Sequence, residues 1–231
     1  MKTLYLKTKD EWTSFKYNDL SELKEEFEKR NIKIDYGVVI GANAKIGNSV
    51  AIGDDSEIGA YSEIGDGAEI GDRAEIGYNS KIGDSVVIGD RAEIGYGSTI
   101  GYGSTIGDRS EIGDNSEIGY NSKIGDSVVI GYNSKIGDRA EIGDRAEIGT
   151  NAEIEPNSVI NHSIKISGTR HHVNWYSTGV IHIGCEIRSI KFWQMHYEYI
   201  AKEYDYSDAQ IKEYETYIDM ISELENSLKS L

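Results

Sequence analysis

Isoleucine recurs every six residues from Ile34 to Ile166, twenty-three times without a slip. From Ile40 to Ile148 a glycine follows each one, and Ala, Ser or Val nearly always stands two before it. The unit reads Ile-Gly-x-x-[Ala/Ser/Val]-x, as in Ile70-Gly71-Asp72-Arg73-Ala74-Glu75. A short fixed period means that each unit buries its apolar side only against its neighbours, so the chain is a solenoid. Six is even, and strand alternation therefore returns the same side chain to the same face in every unit. The isoleucine and the small residue two before it point inward; the residue between them points out. A helix is excluded, because 3.6 does not match six and a glycine in every unit costs it about 1 kcal/mol each time. Glycine after isoleucine suits a corner where the backbone turns sharply or takes positive φ.

Residues 34–166 resemble the hexapeptide-repeat family through this unit. The resemblance implies an all-β solenoid, a left-handed parallel β-helix with three hexads to each triangular coil. Its left hand comes from the resemblance, since most parallel crossovers are right-handed. Twenty-three hexads then make about 7.7 coils and a prism ~36 Å long at the usual strand spacing.

A step of 18 sorts the outward residues into three sides. One side reads Glu57, Glu75, Glu93, Glu111, Val129, Glu147, and its like charges require water. The second reads Lys45, Glu63, Lys81, Thr99, Glu117, Lys135, Glu153, with signs that pair along the stack. The third, Ala51, Glu69, Val87, Thr105, Lys123, Glu141, Val159, is the least charged and is expected nearest a subunit interface. One corner carries Asp54, Asp72, Asp90, Asp108, Asp126 and Asp144, with Arg73, Arg91, Arg109 and Arg145 beside them. Aspartate there reads as a turn residue bonding backbone amides, its charge offset by the arginines, and not as a metal ligand. Tyr78 with Tyr96, and Tyr102 with Tyr120, are expected to stack at the other corners.

Residues 1–33 and 167–231 do not repeat, and both ends of a solenoid need caps. Leu4 and Leu6 alternate as in a short strand. Asp19 with Glu22 forms a capping box for a helix reaching about Arg30, with Leu20, Leu23 and Phe27 as its apolar stripe. Residues 1–33 are thus a small N-terminal α/β cap, and residues 167–191 a repeat-breaking loop with a last, imperfect strand at Ile183-Gly184-Cys185-Glu186-Ile187. Residues 192–231 form two C-terminal helices. The first holds Trp193, Tyr197 and Ile200; the second opens at Ser207 with Gln210. Its Ile211, Tyr214, Ile218, Ile221 and Leu228 stand at heptad-like spacing, which suits either self-association or folding back onto the chain's own solenoid. Trimers are the state the family resemblance implies.

Charge changes the picture at one place. The chain carries −16 overall, which argues against broad nucleic-acid binding. Residues 34–166 sum to −13, whereas residues 167–191 sum to +2. That break holds Arg170, His171, His172, Trp175, Tyr176, Arg188 and Lys191. Cations beside aromatic rings suit an anionic ligand with a planar ring, such as a nucleotide or the adenylate end of CoA. Hexapeptide-repeat acyltransferases use acetyl-CoA or another acyl donor and a histidine base between subunits. Candidate bases here are His162, His171, His172 and His182, and none stands in a matching family motif.

The segments Gly168-Thr169-Arg170, Asn174-Trp175-Tyr176 and Tyr206-Ser207-Asp208 resemble the tails of hexapeptide-repeat proteins of phages, prophages and gut bacteria. This implies a phage-type protein of unassigned activity. Cys185 has no partner for an internal disulfide, and no signal peptide or membrane-length apolar run is visible. Both point to the cytoplasm, that of a bacterial host for a phage-encoded chain. The leading expectation is a homotrimeric solenoid that binds an anionic aromatic small molecule. Acyl-CoA-dependent transfer is the alternative, and a spacer, assembly protein or consensus design the third.

Overall fold

The structure is a computed structural model that describes residues 1–8, 11–161, 163–177, 179–184 and 186–228, with the backbone alone at Tyr176 and Ser177. The chain divides into two compact units, residues 1–161 and 162–231.

The first unit is the solenoid, a left-handed β-helix of about seven turns. Two-residue rungs, such as Glu75–Ile76, stack in parallel and in register with the rungs 18 residues away. They build three sheets whose outward columns are those expected from the 18-residue step: Glu75 pairs with Glu57 and Glu93, Lys81 with Glu63 and Thr99, and Val87 with Glu69 and Thr105. Inside, isoleucine fills the core with Ala, Val or Ser. The buried serines are satisfied: Ser56 Oγ donates to Gly71 O at 2.7 Å, and Ser110 Oγ to Gly125 O at 2.8 Å.

The glycine after each isoleucine serves another purpose than positive φ. The left-handed residue lies two positions later, as at Arg73 (φ 59°), Arg91 (φ 58°) and Asn115 (φ 55°). The glycine itself is required by closeness. A Cβ on Gly89 would sit 2.6 Å from Asp108 N and 2.8 Å from Gly107 C. The aspartates cap the neighbouring coil: Asp72 N donates to Asp90 Oδ1 at 2.9 Å, and Asp90 N to Asp108 Oδ1 at 3.0 Å. No ion pair joins these aspartates to Arg73, Arg91, Arg109 or Arg145 among the described residues, so the arginines do not offset the ladder by contact. The expected column pairing is seen at Lys45–Glu63 (3.0 Å), and the third side adds Lys123–Glu141 (3.0 Å). Tyr78 and Tyr96 stack at 5.6 Å, whereas Tyr120 lies against Arg139 at 5.9 Å rather than against Tyr102.

The N-terminal cap extends one sheet. Strand β1 (Lys2–Thr8) pairs in parallel with the rung Ala44–Ile46 and antiparallel with β2 (Glu11–Tyr17), which the sequence reading missed. Leu4 and Leu6 are fully buried. The Asp19–Glu22 capping box is present; it starts a 3-10 turn, Leu20–Leu23, that runs into α1 (Lys24–Lys29).

The ladder ends one step before its spacing does. Its last rung is Val159–Ile160, and Ile166 lies in the second unit. There β3 (Ile164–Ser167), β4 (His172–Ser177), β5 (Val180–Ile183) and β6 (Glu186–Ser189) form an antiparallel sheet in chain order. The single strand expected at 183–187 is therefore two strands turning at Gly184 (φ 61°), with Cys185 outside the described residues. Helices α2 (Ile190–Glu203) and α3 (Asp208–Leu228) follow, with the Ser207–Gln210 box opening the second. Tyr214, Ile218 and Ile221 are buried against Val173, Trp175, Ile181, Ile183 and Trp193. Those members of the heptad-like stripe are thus buried inside their own unit, against its own sheet. No described helix is long and apolar enough to cross a membrane.

These packing facts predict opposite signs for two nearby substitutions. Gly89→Ala should lower the denaturation midpoint by the equivalent of roughly 1–3 kcal/mol, because its Cβ meets backbone that cannot retreat. Arg91→Asn should raise stability by up to about 1 kcal/mol, since Asn tolerates the left-handed conformation better. Urea titration followed by far-UV circular dichroism checks both.

Candidate functional site

Strand alternation divides the candidate residues between two faces of the second unit's sheet. Register places Trp175 beside Ile164, Val173 beside Ile183, and Arg188 beside Ile181, on the face that carries the helices. His172, Asn174 and His182 share the other face, with Asn174 paired to Lys165 on one side and His182 on the other. Of the proposed ligand-binding residues, Trp175 and Arg188 therefore lie on one face of the sheet and His172 on the other.

Trp175 is a core residue, and this corrects its assignment as a ligand platform. It is 5 % exposed, and its Nε1 donates to Glu225 Oε2 at 3.1 Å. The same carboxylate oxygen accepts from Gly179 N at 2.6 Å and so ties the β4–β5 turn to α3. Arg188 pairs with Glu186 at 2.7 Å and lies over the Phe192 ring. Lys191 is exposed on α2. His162 and the Tyr176 side chain lie outside the described residues.

The turn between β3 and β4 is held from α3. The Tyr214 hydroxyl donates to His171 O at 2.7 Å and accepts from Arg170 N at 3.1 Å and from His171 N at 2.5 Å. Thr169 donates twice to Glu213, from N at 2.9 Å and from Oγ1 at 2.5 Å, and these bonds hold the Glu213 carboxyl below its ordinary pKa. The Arg170 guanidinium donates to Asp205 O at 2.8 Å and lies 4.7 Å from the Tyr206 ring centroid. Arg170 and His171 both remain exposed on this fixed turn, and His172 is exposed at the start of β4.

His182 is different. It is 4 % exposed, and burial pushes its pKa below the ordinary 6.5, a shift opposed by its hydrogen bond with the Gly184 backbone. Asn174, opposite it, carries a buried Oδ1 with no hydrogen-bond partner among the described residues. An unmet buried acceptor costs about 1–3 kcal/mol, so a polar group held without a partner marks either strain or a place for a donor.

Beneath the turn lies a cavity of about 60 Å³, lined by His171, Trp193, Tyr197, Tyr204, Tyr206 and Tyr214, with Gly184, Glu186 and four aliphatic side chains completing it. The Tyr197 hydroxyl bonds Glu215, and burial with that carboxylate raises its pKa to about 12. The sequence reading missed this cavity, although Tyr197, Tyr199, Tyr204, Tyr206, Tyr214 and Tyr217 crowd one stretch of the chain. Among the described residues no three His, Cys, Asp or Glu side chains cluster as metal ligands.

The family model for bacterial transferase hexapeptide (six repeats) matches residues 31–66, 67–102, 103–138 and 127–162. No curated protein matches the chain. Similar solved structures include the acetyltransferase domain of PglB from Neisseria gonorrhoeae FA1090, at 17 % identity and a TM-score of 0.38 over 57 % of this chain and 62 % of that one. LpxA, a UDP-N-acetylglucosamine acyltransferase from Bacteroides fragilis 9343, shows 19 % identity and a TM-score of 0.39 over 57 % of this chain and 65 % of its own. PerB from Caulobacter crescentus, solved with CoA and GDP-perosamine, shows 16 % identity and a TM-score of 0.33 over 53 % and 60 %. The chain thus spans less than two thirds of the length of each.

Tyr214→Phe removes the hydroxyl that holds the turn. Amide exchange at Arg170 and His171 should accelerate at least about tenfold, with exchange in the solenoid unchanged. His182 gives a pH signature. Its folded pKa lies below the unfolded value, so the unfolded state takes up the proton first. Stability of the second unit should therefore fall as pH drops from 6.5 towards the lowered folded pKa, and level off below it. His182→Gln should flatten that slope in urea titrations run across this range.

Proposed function

Because this chain belongs to the bacterial transferase hexapeptide-repeat family, while its solenoid lacks any imidazole or thiol, we propose that it is a binding protein built on a transferase-type scaffold. All five histidines and the one cysteine lie beyond residue 161. The observation that carries the reading is a repeated string. Residues 77–89 and 119–131 are identical, yet they lie 42 residues apart, which is seven hexads and not a whole number of coils. The copies consequently occupy different sides: Lys81 stacks with Glu63 and Thr99, but Lys123 with Thr105 and Glu141. A catalytic wall needs given residues on a given side, whereas a shaft needs only the repeat. The solenoid therefore reads as a spacer, and recognition belongs to the C-terminal unit.

The ligand is an anionic small molecule with a planar ring, a nucleotide for instance, met by the exposed Arg170, His171 and His172. The two guanidinium contacts of Arg170, with Asp205 O and Tyr206, fix its direction and leave other N–H donors on its exposed head. The assembly is a homotrimer, as the family resemblance implies, with the third side of the shaft at its interface; Val87 and Val159 are 40 % and 59 % exposed there. In a phage setting such a protein sequesters a nucleotide signal in the host cytoplasm. The second reading is acyl transfer from acetyl-CoA or another acyl-CoA, favoured by the family match, with His162, His171, His172 or His182 as base.

Native mass spectrometry with a panel of nucleotides and CoA tests the first reading. One ligand should be retained, lost in the Arg170→Ala/His172→Ala double variant, and kept when the 18 residues 72–89 are deleted. Failure of every nucleotide and of CoA to bind would sink it. Thiol release from acetyl-CoA across an acceptor panel, abolished by a single His→Ala change, would establish the second reading instead.

A further inference from the structure

We propose that the aromatic cavity between α2, α3 and the β3–β4 turn is a binding site for a quaternary ammonium group, as in choline. This goes beyond the anion-binding reading; the two share His171, but the cation site rests on the aromatic wall and not on Arg170 or His172.

Three observations carry it. The first is the wall itself: Trp193, Tyr197, Tyr204 and Tyr206 gather with Tyr214 and His171 around one space, and among the described residues no Lys or Arg lines it. The faces of Trp and Tyr rings are negative and attract a cation within about 6 Å of the ring centroid, the more strongly once water is displaced. The second is charge. Residues 190–228 hold nine Asp and Glu against three Lys, and Glu186 lies in the wall itself. Glu215, Glu198 and Asp219 all act on the hydroxyl of Tyr197, one of the wall residues. The third is the shortage of hydrogen-bond acceptors within a mainly aromatic and aliphatic lining. A bare ammonium would lose its hydration there and recover little, whereas a methylated one carries its charge behind an apolar surface and needs no acceptor.

The site is half open. Tyr204 stands at its rim, 52 % exposed, and closes α2 at its C-terminal end. It is the ring whose loss should disturb the fold least.

The test uses the full chain, with choline and tetramethylammonium as probes and 3,3-dimethyl-1-butanol as the neutral twin of choline. Binding is read by calorimetry and by tryptophan fluorescence. Choline should saturate, and the neutral twin should bind at least about tenfold more weakly. Tyr204→Leu should weaken choline at least about fivefold with the circular dichroism spectrum preserved. Glu186→Gln, which keeps the bulk of the wall, should weaken it a few-fold. Equal binding of choline and its neutral twin would show a merely apolar notch and overturn the proposal. So would the absence of saturation at about 50 mM choline, or wild-type affinity in folded Tyr204→Leu. Neither result would bear on nucleotide retention through Arg170 and His172.

Discussion

Successive coils lie so close at each corner that the residue after isoleucine has no room for a side chain, and the rest of the solenoid follows from that approach. At Gly71 a Cβ would meet Asp90 N at 2.7 Å and Gly89 C at the same distance. Close approach lets each backbone amide reach the coil 18 residues on, as Gly71 N reaches Ile88 O at 2.8 Å and Glu75 N reaches Ala92 O at 2.9 Å. It also brings each corner carboxylate within reach of the amide before it. Turning so tightly forces the residue two after the glycine into left-handed φ, at a cost that Asn and Gly bear more easily than Arg, Ser or Tyr. That arginine and tyrosine are nonetheless found there shows that stacking outweighs local preference.

A fold held mainly by backbone and by an invariant interior leaves its outward positions free. Those positions vary along two of the three sides, and the same string is read out on two different sides. Function is then most economically placed where the period stops. The second unit is built on the opposite principle: its core is made of unlike pieces, Trp175 against Glu225, Trp193 Nε1 on Ile181 O at 2.9 Å, and Tyr214 on the β3–β4 turn. Each of these contacts occurs once, so each is specific to its place.

This contrast also explains what could be read from the sequence. Period, register, sides, the Asp19 box and the Ser207 box are all local or repeated, and residue spacing alone expresses them. The role of the post-isoleucine glycine was misplaced because tight turning and close approach leave the same sequence mark. Ile166 kept the spacing by coincidence: Ile164 and Ile166 alternate on β3, and one of them happens to fall six after Ile160. Trp175 looked like a ligand platform because it sits amid cations in sequence. Only the pairing of β3, β4 and β5 reveals that it points to the helices while His172 and Asn174 point away. The aromatic cavity needs residues from 171 to 218, and no short window shows it.

The heptad-like spacing of α3 shows why such a signal is ambiguous. An apolar stripe states that a helix face is buried, but not by what. Here Tyr214 decides the matter. In a symmetric seam its hydroxyl would meet its own copy; in this unit it meets two amides and a carbonyl of a turn that offers no other partner for them. A seam residue with a polar tip asks for a unique neighbour, and only the chain's own β3–β4 turn supplies one. That same bond fixes the turn whose His171 lines the aromatic cavity, so burial of the helix and arrangement of the site are one event. Loosening the turn must then alter both, which ties the unit's stability to whatever it recognises.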